Sequence, residues 1–195
     1  LIIAISNFFI FRSYSLLYNL LIVCLEIIPM IIGYAFLLRF WTQKHQISVP
    51  MNIARYLIQM TDWLVKPLRK ALPIKNSGIW APLVASLLIA LLRAVLEASF
   101  FSAGNNRIIL FLTLMSLLQW ICYGFMAILL IEAIFSWINP LTPFAFFIRE
   151  MTSPLLSPIR KIIPTLGRFD FSPMIAFFLL QIALRLISQL LSRLI

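Results

Sequence analysis

From Ile108 to Ile131 the chain runs 24 residues without a charged side chain. At 1.5 Å per helical residue, about 20 such residues cross the roughly 30 Å hydrocarbon core of a bilayer. The composition points the same way. Hydrophobic residues fill 63% of 195 positions and charged ones 11%, against about 45–50% and about 25% in ordinary soluble domains. The predicted fold is an all-α membrane protein of about four spans. They run from about Leu17 to Trp41, from Trp80 to Ser102, within Ile108 to Ile138, and from Pro173 to Leu194. Residues 1–16 lack the basic start and small-residue cleavage site of a signal peptide. They are set apart as an N-terminal extension, part of a fifth helix if a turn forms, for which only Asn19 and two serines are available.

A formal charge of +10 invites a nucleic-acid reading, but its distribution argues against one. Six basic residues (Lys44, Arg55, Lys66, Arg69, Lys70, Lys75) and Asp62 lie between spans one and two. Arg149, Arg160, Lys161 and Arg168, with Glu150 and Asp170, lie between spans three and four. Cations crowded into two loops beside apolar spans mark the cytoplasmic side. This predicts both long loops inside and both termini outside, in a bacterial inner membrane. Trp41, Trp63, Trp80 and Trp137 fall at the same boundary, as an aromatic belt does. Cys24 and Cys122 sit within spans without CxxC spacing, and His45 is the single histidine. The sequence therefore predicts neither a metal site nor a cofactor.

The loops have structure of their own. In Asn52–Lys66 the polar residues Asn52, Arg55, Gln59, Asp62 and Lys66 recur every three or four positions, with Ile53, Tyr56, Leu57, Met60 and Leu64 opposite. Such a helix lies in the membrane interface or docks on the protein's own spans; both readings stand. Residues 60–85 also align without a gap on residues 151–176. Nine of 26 positions are identical, among them the core Pro67-Leu-Arg-Lys-Ala-Leu-Pro73 and Pro158-Ile-Arg-Lys-Ile-Ile-Pro164. This predicts two tandem repeats, 17–103 and 104–195, inserted in the same sense about an axis along the membrane normal. Each proline-bounded core predicts a stiff one-turn element presenting two cations at headgroup depth. In the second copy Gly167 suits a tight turn, Ser172 a helix cap and Pro173 the first turn of span four.

These strings, with Leu38-Arg-Phe-Trp41 and Ser136-Trp137, resemble the YggT family, which includes YlmG-type bacterial proteins and relatives in plastids. The resemblance covers nearly the whole chain from about residue 17. The first copy departs from it, with Asn76, Ile79 and Ala81 where the second has Gly167, Asp170 and Ser172. The resemblance implies association with osmotic tolerance and potassium uptake, with cell division or membrane organisation, and with cofactor-protein assembly. It implies no catalytic residue.

The residues themselves offer no GxSxG, HExxH or glycine-rich phosphate loop. The leading expectation is a non-enzymatic accessory or scaffolding protein. Its candidate contacts for anionic phospholipid headgroups, or for a membrane-protein partner or second copy, are Arg69, Lys70, Arg160, Lys161 and Asp170; the arginines have a second reading as helix caps or as partners of Asp170. The alternative is an ion (potassium) channel or transporter component, because charges within a bilayer are costly and often functional. Those charges are Glu26, Arg93, Glu97, Glu132 and Arg185. Depth counting predicts that Glu26 meets Arg93 near mid-membrane, with Arg185 at nearly the same depth, and that shallow Glu132 reaches water. Static ion pairs locking the bundle are the competing account of these charges.

Overall fold

The structure is a computed structural model and describes residues 2–73, 76–100, 105–138, 141–162 and 170–193. Six helices follow one another: α1 (Ile2–Lys44), α2 (Met51–Ala71), α3 (Ser77–Phe100), α4 (Asn106–Ile138), α5 (Pro143–Ile162) and α6 (Ser172–Ser192). Four segments are long and apolar enough to cross a membrane: Val23–Lys44, Ser77–Ser99, Asn106–Ser136 and Ser172–Ser192. The chain is built as a multi-pass membrane protein. Residues 2–16 continue the helix of the first span with no turn between them, rather than beginning a separate one. Lys75, Gly104, Pro164, Gly167, Arg168 and the side chain of Trp137 lie outside the described residues.

Spans α1 and α3 pack together, as do α4 and α6, and α4 also meets α3 and α1. In lipid there is no hydrophobic drive to bring helices together, so close approach falls to small residues and interhelical hydrogen bonds. Helix α3 supplies both. Ala81, Ala85, Ala90, Ala94 and Ala98 are buried along it, a small-residue row through which its neighbours draw near. Phe36 of α1 and Trp120 of α4 fill the same core. Gly33 lies so close to the Trp120 ring that an added Cβ would overlap it.

Helices α2 and α5 are amphipathic and lie against the spans, α2 on α1 and α3, α5 on α4 and α6. Leu57, Thr61 and Val65, four residues apart, form the buried edge of α2. The face expected to be apolar is therefore divided. Leu57 docks on the protein, whereas Tyr56, Met60 and Trp63 stay exposed. The prolines do not bound one-turn elements. Pro67 lies inside α2, and Pro154 and Pro158 inside α5. All three sit on exposed faces, where the carbonyl that each ring deprives of a partner is not sealed in a core. The paired cations Arg69–Lys70 and Arg160–Lys161 thus occupy the last turns of long helices, where they oppose the negative end of the helix dipole.

The turns follow from local chemistry. Helix α1 ends with Gln46 at φ 53° and the Ile47 N–H donating to the Thr42 carbonyl at 2.9 Å, a Schellman closure. Asn76, at φ 71°, takes the left-handed conformation that asparagine tolerates better than other side-chain-bearing residues. The Ile79 N–H bonds back to its carbonyl. Helix α3 then starts at Ser77, about a turn before the expected Trp80, with Pro82 inside it.

Gly33→Ala is expected to lower the melting temperature in detergent by forcing α1 from Trp120, at an overpacking cost of about 1–3 kcal/mol. Gly78→Ala is the control. Its Cβ would meet Arg69 at an ordinary 3.5 Å, and the melt is expected to stay level or rise slightly.

Candidate functional site

The polar chemistry gathers where the amphipathic helices meet the ends of the spans. In the first half, Arg39 of α1 reaches two neighbours on α2. Its Nη1 donates to Asp62 Oδ1 at 2.8 Å and to Thr61 Oγ1 at 2.6 Å. Lys66, one turn along α2, holds the other Asp62 oxygen at 2.9 Å. The Lys66 hydrogen bond is the largest influence on Asp62, and with Arg39 it holds the carboxyl below its ordinary value against an opposing effect of burial. Arg39 was quoted in the sequence only as part of a family string. Its partner Asp62 lies 23 residues along the chain on another helix, so local spacing gave no sign of the pair.

In the second half one guanidinium joins three helices. Arg160 near the end of α5 donates through Nε to Asp170 Oδ2 at 2.8 Å, and its Nη2 lies 2.7 Å from the same oxygen. Nη2 also reaches Glu132 Oε1 on α4 at 3.3 Å. Asp170 is fixed from two further sides. Its Oδ1 accepts the Ser172 N–H at 2.9 Å, and its own N–H donates to Ser136 Oγ at 3.3 Å. Ser172 is the first residue of α6 rather than its cap, and Asp170, just before the N-cap Phe171, accepts that first N–H. Burial is the largest influence on this carboxyl and pushes it up. The hydrogen bonds from Ser172 and Arg160, with the Arg160 charge, outweigh burial and hold it below the ordinary range.

Several expected arrangements are replaced. Glu132 does not reach water; it is 2% exposed, with Oε2 buried and without a partner among the described residues. Glu26 does not meet Arg93. Arg93 turns instead to Ser116 Oγ on α4 at 2.6 Å and to Glu97 on its own helix at 3.4 Å. Counting residues measured depth, but the azimuth of Arg93 carries it to α4. Glu26 and Arg185 are exposed and have no ion pair among the described residues. Trp41 is partly buried. Its Nε1 donates to the Met151 carbonyl at 3.1 Å and pins α1 to α5, whereas Trp63 and Trp80 are exposed. Of the paired cations, Arg69, Lys70 and Lys161 are exposed and Arg160 is engaged by carboxylates.

Residues 91 positions apart share their burial: Leu57 and Ile148, Val65 and Leu156, Pro82 and Pro173, Ala85 and Ala176. Thr61 and Thr152 are both buried, and each donates to the carbonyl four residues back. Between the halves lies an apolar cavity of about 660 Å³, walled mainly by α1 and α4, with residues of α2, Leu83 and Met151 completing its lining. Among the described residues no group of three or more His, Cys, Asp or Glu is placed to hold a metal ion.

Removing one partner of a buried pair leaves the other uncompensated, which costs about 3–5 kcal/mol. Arg160→Gln is expected to lose about that much stability, and Glu132→Gln in the same chain to recover part of it. Additive losses in a thermal-melt cycle would show that the two do not interact. A second expectation concerns acid. Asp62 and Asp170 have lowered folded pKa values, so their contribution is complete above the ordinary carboxylate value near about 3.9. It is lost as pH falls through the folded values. The melting temperature is expected to drop below about pH 4, and less steeply in Asp170→Asn.

The sequence pattern of the CCB3/YggT family matches this chain twice, over residues 15–100 and 111–191. A Haemophilus influenzae protein described only as uncharacterised is 32% identical over 147 residues, covering 74% of this chain and 78% of the relative. A Vibrio alginolyticus protein, uncharacterised and described by its position in the proC 3' region, is 30% identical over 75% of this chain and 82% of its own length. The uncharacterised YggT of Escherichia coli K12 is 29% identical over 75% and 77%. No solved structure matches the chain. With the pattern met in both halves and relatives covered over three quarters of their length, this protein belongs to the CCB3/YggT family.

Proposed function

We propose that the protein is a non-enzymatic accessory or scaffolding factor of the bacterial inner membrane, serving membrane organisation, assembly or tolerance of osmotic stress. The observation that carries this reading is the pair of amphipathic helices, each fastened to span ends by ion pairs and each ending in an exposed basic turn. Arg69 and Lys70 end α2, and Lys161 ends α5. Exposed Tyr56, Met60 and Trp63 on α2, and Phe146 on α5, put apolar side chains on the same helices as those cations, the composition of an interfacial helix. On this reading the two helices lie at the cytoplasmic surface and meet anionic phospholipid headgroups, a membrane-protein partner or a second copy. The halves 17–103 and 104–195 act as parallel repeats about an axis along the membrane normal.

The competing reading, a component of a potassium channel or transporter, draws on the intramembrane charges. The geometry favours it less. Arg93 is engaged by Ser116 and Glu97, and Glu132 by Arg160, as in static locks. The space between the halves is walled by carbon, which offers an ion nothing in place of its hydration.

Reporter fusions at Lys75, Asn105 and the C-terminus are expected to read inside, outside and outside; an inside C-terminus would refute four spans with this orientation. Protein reconstituted in liposomes is expected to pass potassium no faster than lipid alone, while purification in mild detergent retains a specific membrane partner. That partner is expected to be weakened in the triple change Arg69→Gln, Lys70→Gln, Lys161→Gln. Potassium flux that the triple change leaves intact would establish the conduit instead.

A further inference from the structure

Helices α1 and α4 touch where Trp120 rests on Gly33 and where the rings of Trp41 and Phe125 meet at 4.7 Å. The cavity of about 660 Å³ lies against this seam, within the range of about 300–1,000 Å³ typical of ligand sites. Its wall is almost wholly carbon, so a polar ligand entering it would forfeit hydrogen bonds to water without replacement. The fitting occupant is a hydrocarbon chain. Four lining residues, Ile31, Tyr56, Met60 and Tyr123, are at least half exposed. The cavity therefore opens sideways from α1, α2 and α4, towards the surface that lipid covers.

Charge stands beside this opening. Lys44 follows the lining residue Phe40 by one turn, its Nζ 5.6 Å from the ring centre. Arg55 precedes Tyr56 on α2. Both cations are exposed, and neither has a carboxylate partner among the described residues. They lie where α1 and α2 meet, at the end of a span, the level at which a chain inside the cavity would carry its phosphate. We propose that this cavity binds one acyl chain of an anionic phospholipid, with the headgroup held by Lys44 and Arg55. The site is separate from the basic turns at the ends of α2 and α5, and it stands whether the protein is a scaffold or a conduit.

Trp120, buried at 3% exposure and lining the cavity, reports occupancy. In a chain that keeps Trp120 and carries phenylalanine at the other four tryptophans, its fluorescence is read in phosphatidylcholine vesicles. These are doped with acyl-brominated phosphatidylglycerol or acyl-brominated phosphatidylcholine. The anionic lipid is expected to quench at a mole fraction lower by about fivefold or more. Lys44→Gln with Arg55→Gln is expected to abolish the difference between headgroups, and Ala35→Phe with Ala127→Phe, which fill the cavity, to abolish the excess quenching. Equal quenching by both lipids before these changes, or quenching indifferent to the cavity-filling pair, would overturn the proposal. Native mass spectrometry of the chain with all its tryptophans, purified in mild detergent, gives an independent reading. One phosphatidylglycerol per chain, lost with Ala35→Phe and Ala127→Phe, is expected. A bare chain, or lipid retained by the filled variant, would refute it.

Discussion

The Arg160 guanidinium determines how the second half of the molecule closes. It lies at the end of a helix that has little reason to stay against the spans, since lipid is as apolar as they are and gives no hydrophobic drive for docking. Two carboxylates supply that reason. Glu132 fixes the guanidinium to α4, and Asp170 ties it to the first turn of α6. The direction of α5, the entry of α6 and the seating of α5 on α4 all pass through one planar group whose donors match carboxylate geometry. Arg39 does comparable work in the first half, joining α1 to α2 through Asp62 and Thr61. Between the halves, Trp41 ties α1 to α5 by its indole N–H, and Glu150 accepts the Ser48 N–H of the α1–α2 connection at 2.9 Å.

Much of the architecture is readable in one dimension because the bilayer imposes a length. The charge-free run after Arg107 and the apolar stretches around it can only be spans, and all four appear within a few residues of their expected bounds. The period of polar residues in Asn52–Lys66 likewise produces a helix. What one dimension does not carry is direction around a helix axis. Arg93 has the depth to meet Glu26 and the azimuth to meet Ser116. Tyr56 and Leu57 belong to one apolar face, and only Leu57 is buried.

The site was half legible for a related reason. Asp170 stood out, with Gly167 and Ser172, as a residue the first copy lacks, and its pairing with an arginine was among its expected roles. Depth counting made Glu132 shallow, and height in the membrane says nothing of the guanidinium approaching from α5. Arg39 lay at the end of an apolar span, where a lone arginine ordinarily snorkels to water. Its partner sits 23 residues away on another helix, beyond any local pattern. The proline-bounded cores misled in the opposite way. Local rules ended a helix there, whereas prolines on an exposed face are compatible with its continuation.

The two fastenings have opposite polarity. In the first half the span carries the base and the amphipathic helix the acid; in the second the span carries the acid and the amphipathic helix the base. The positions differ as well: counted back from Trp41 and Trp137, Phe36 stands where the second half has Glu132, and Phe135 where the first has Arg39. Were α2 to settle on α4, Asp62 would find phenylalanine in place of a cation. Were α5 to settle on α1, Arg160 would find phenylalanine in place of a carboxylate. Either exchange forgoes the ion pair that fastens helix to span. The two units are therefore not interchangeable: each span end is matched in charge to the helix of its own half.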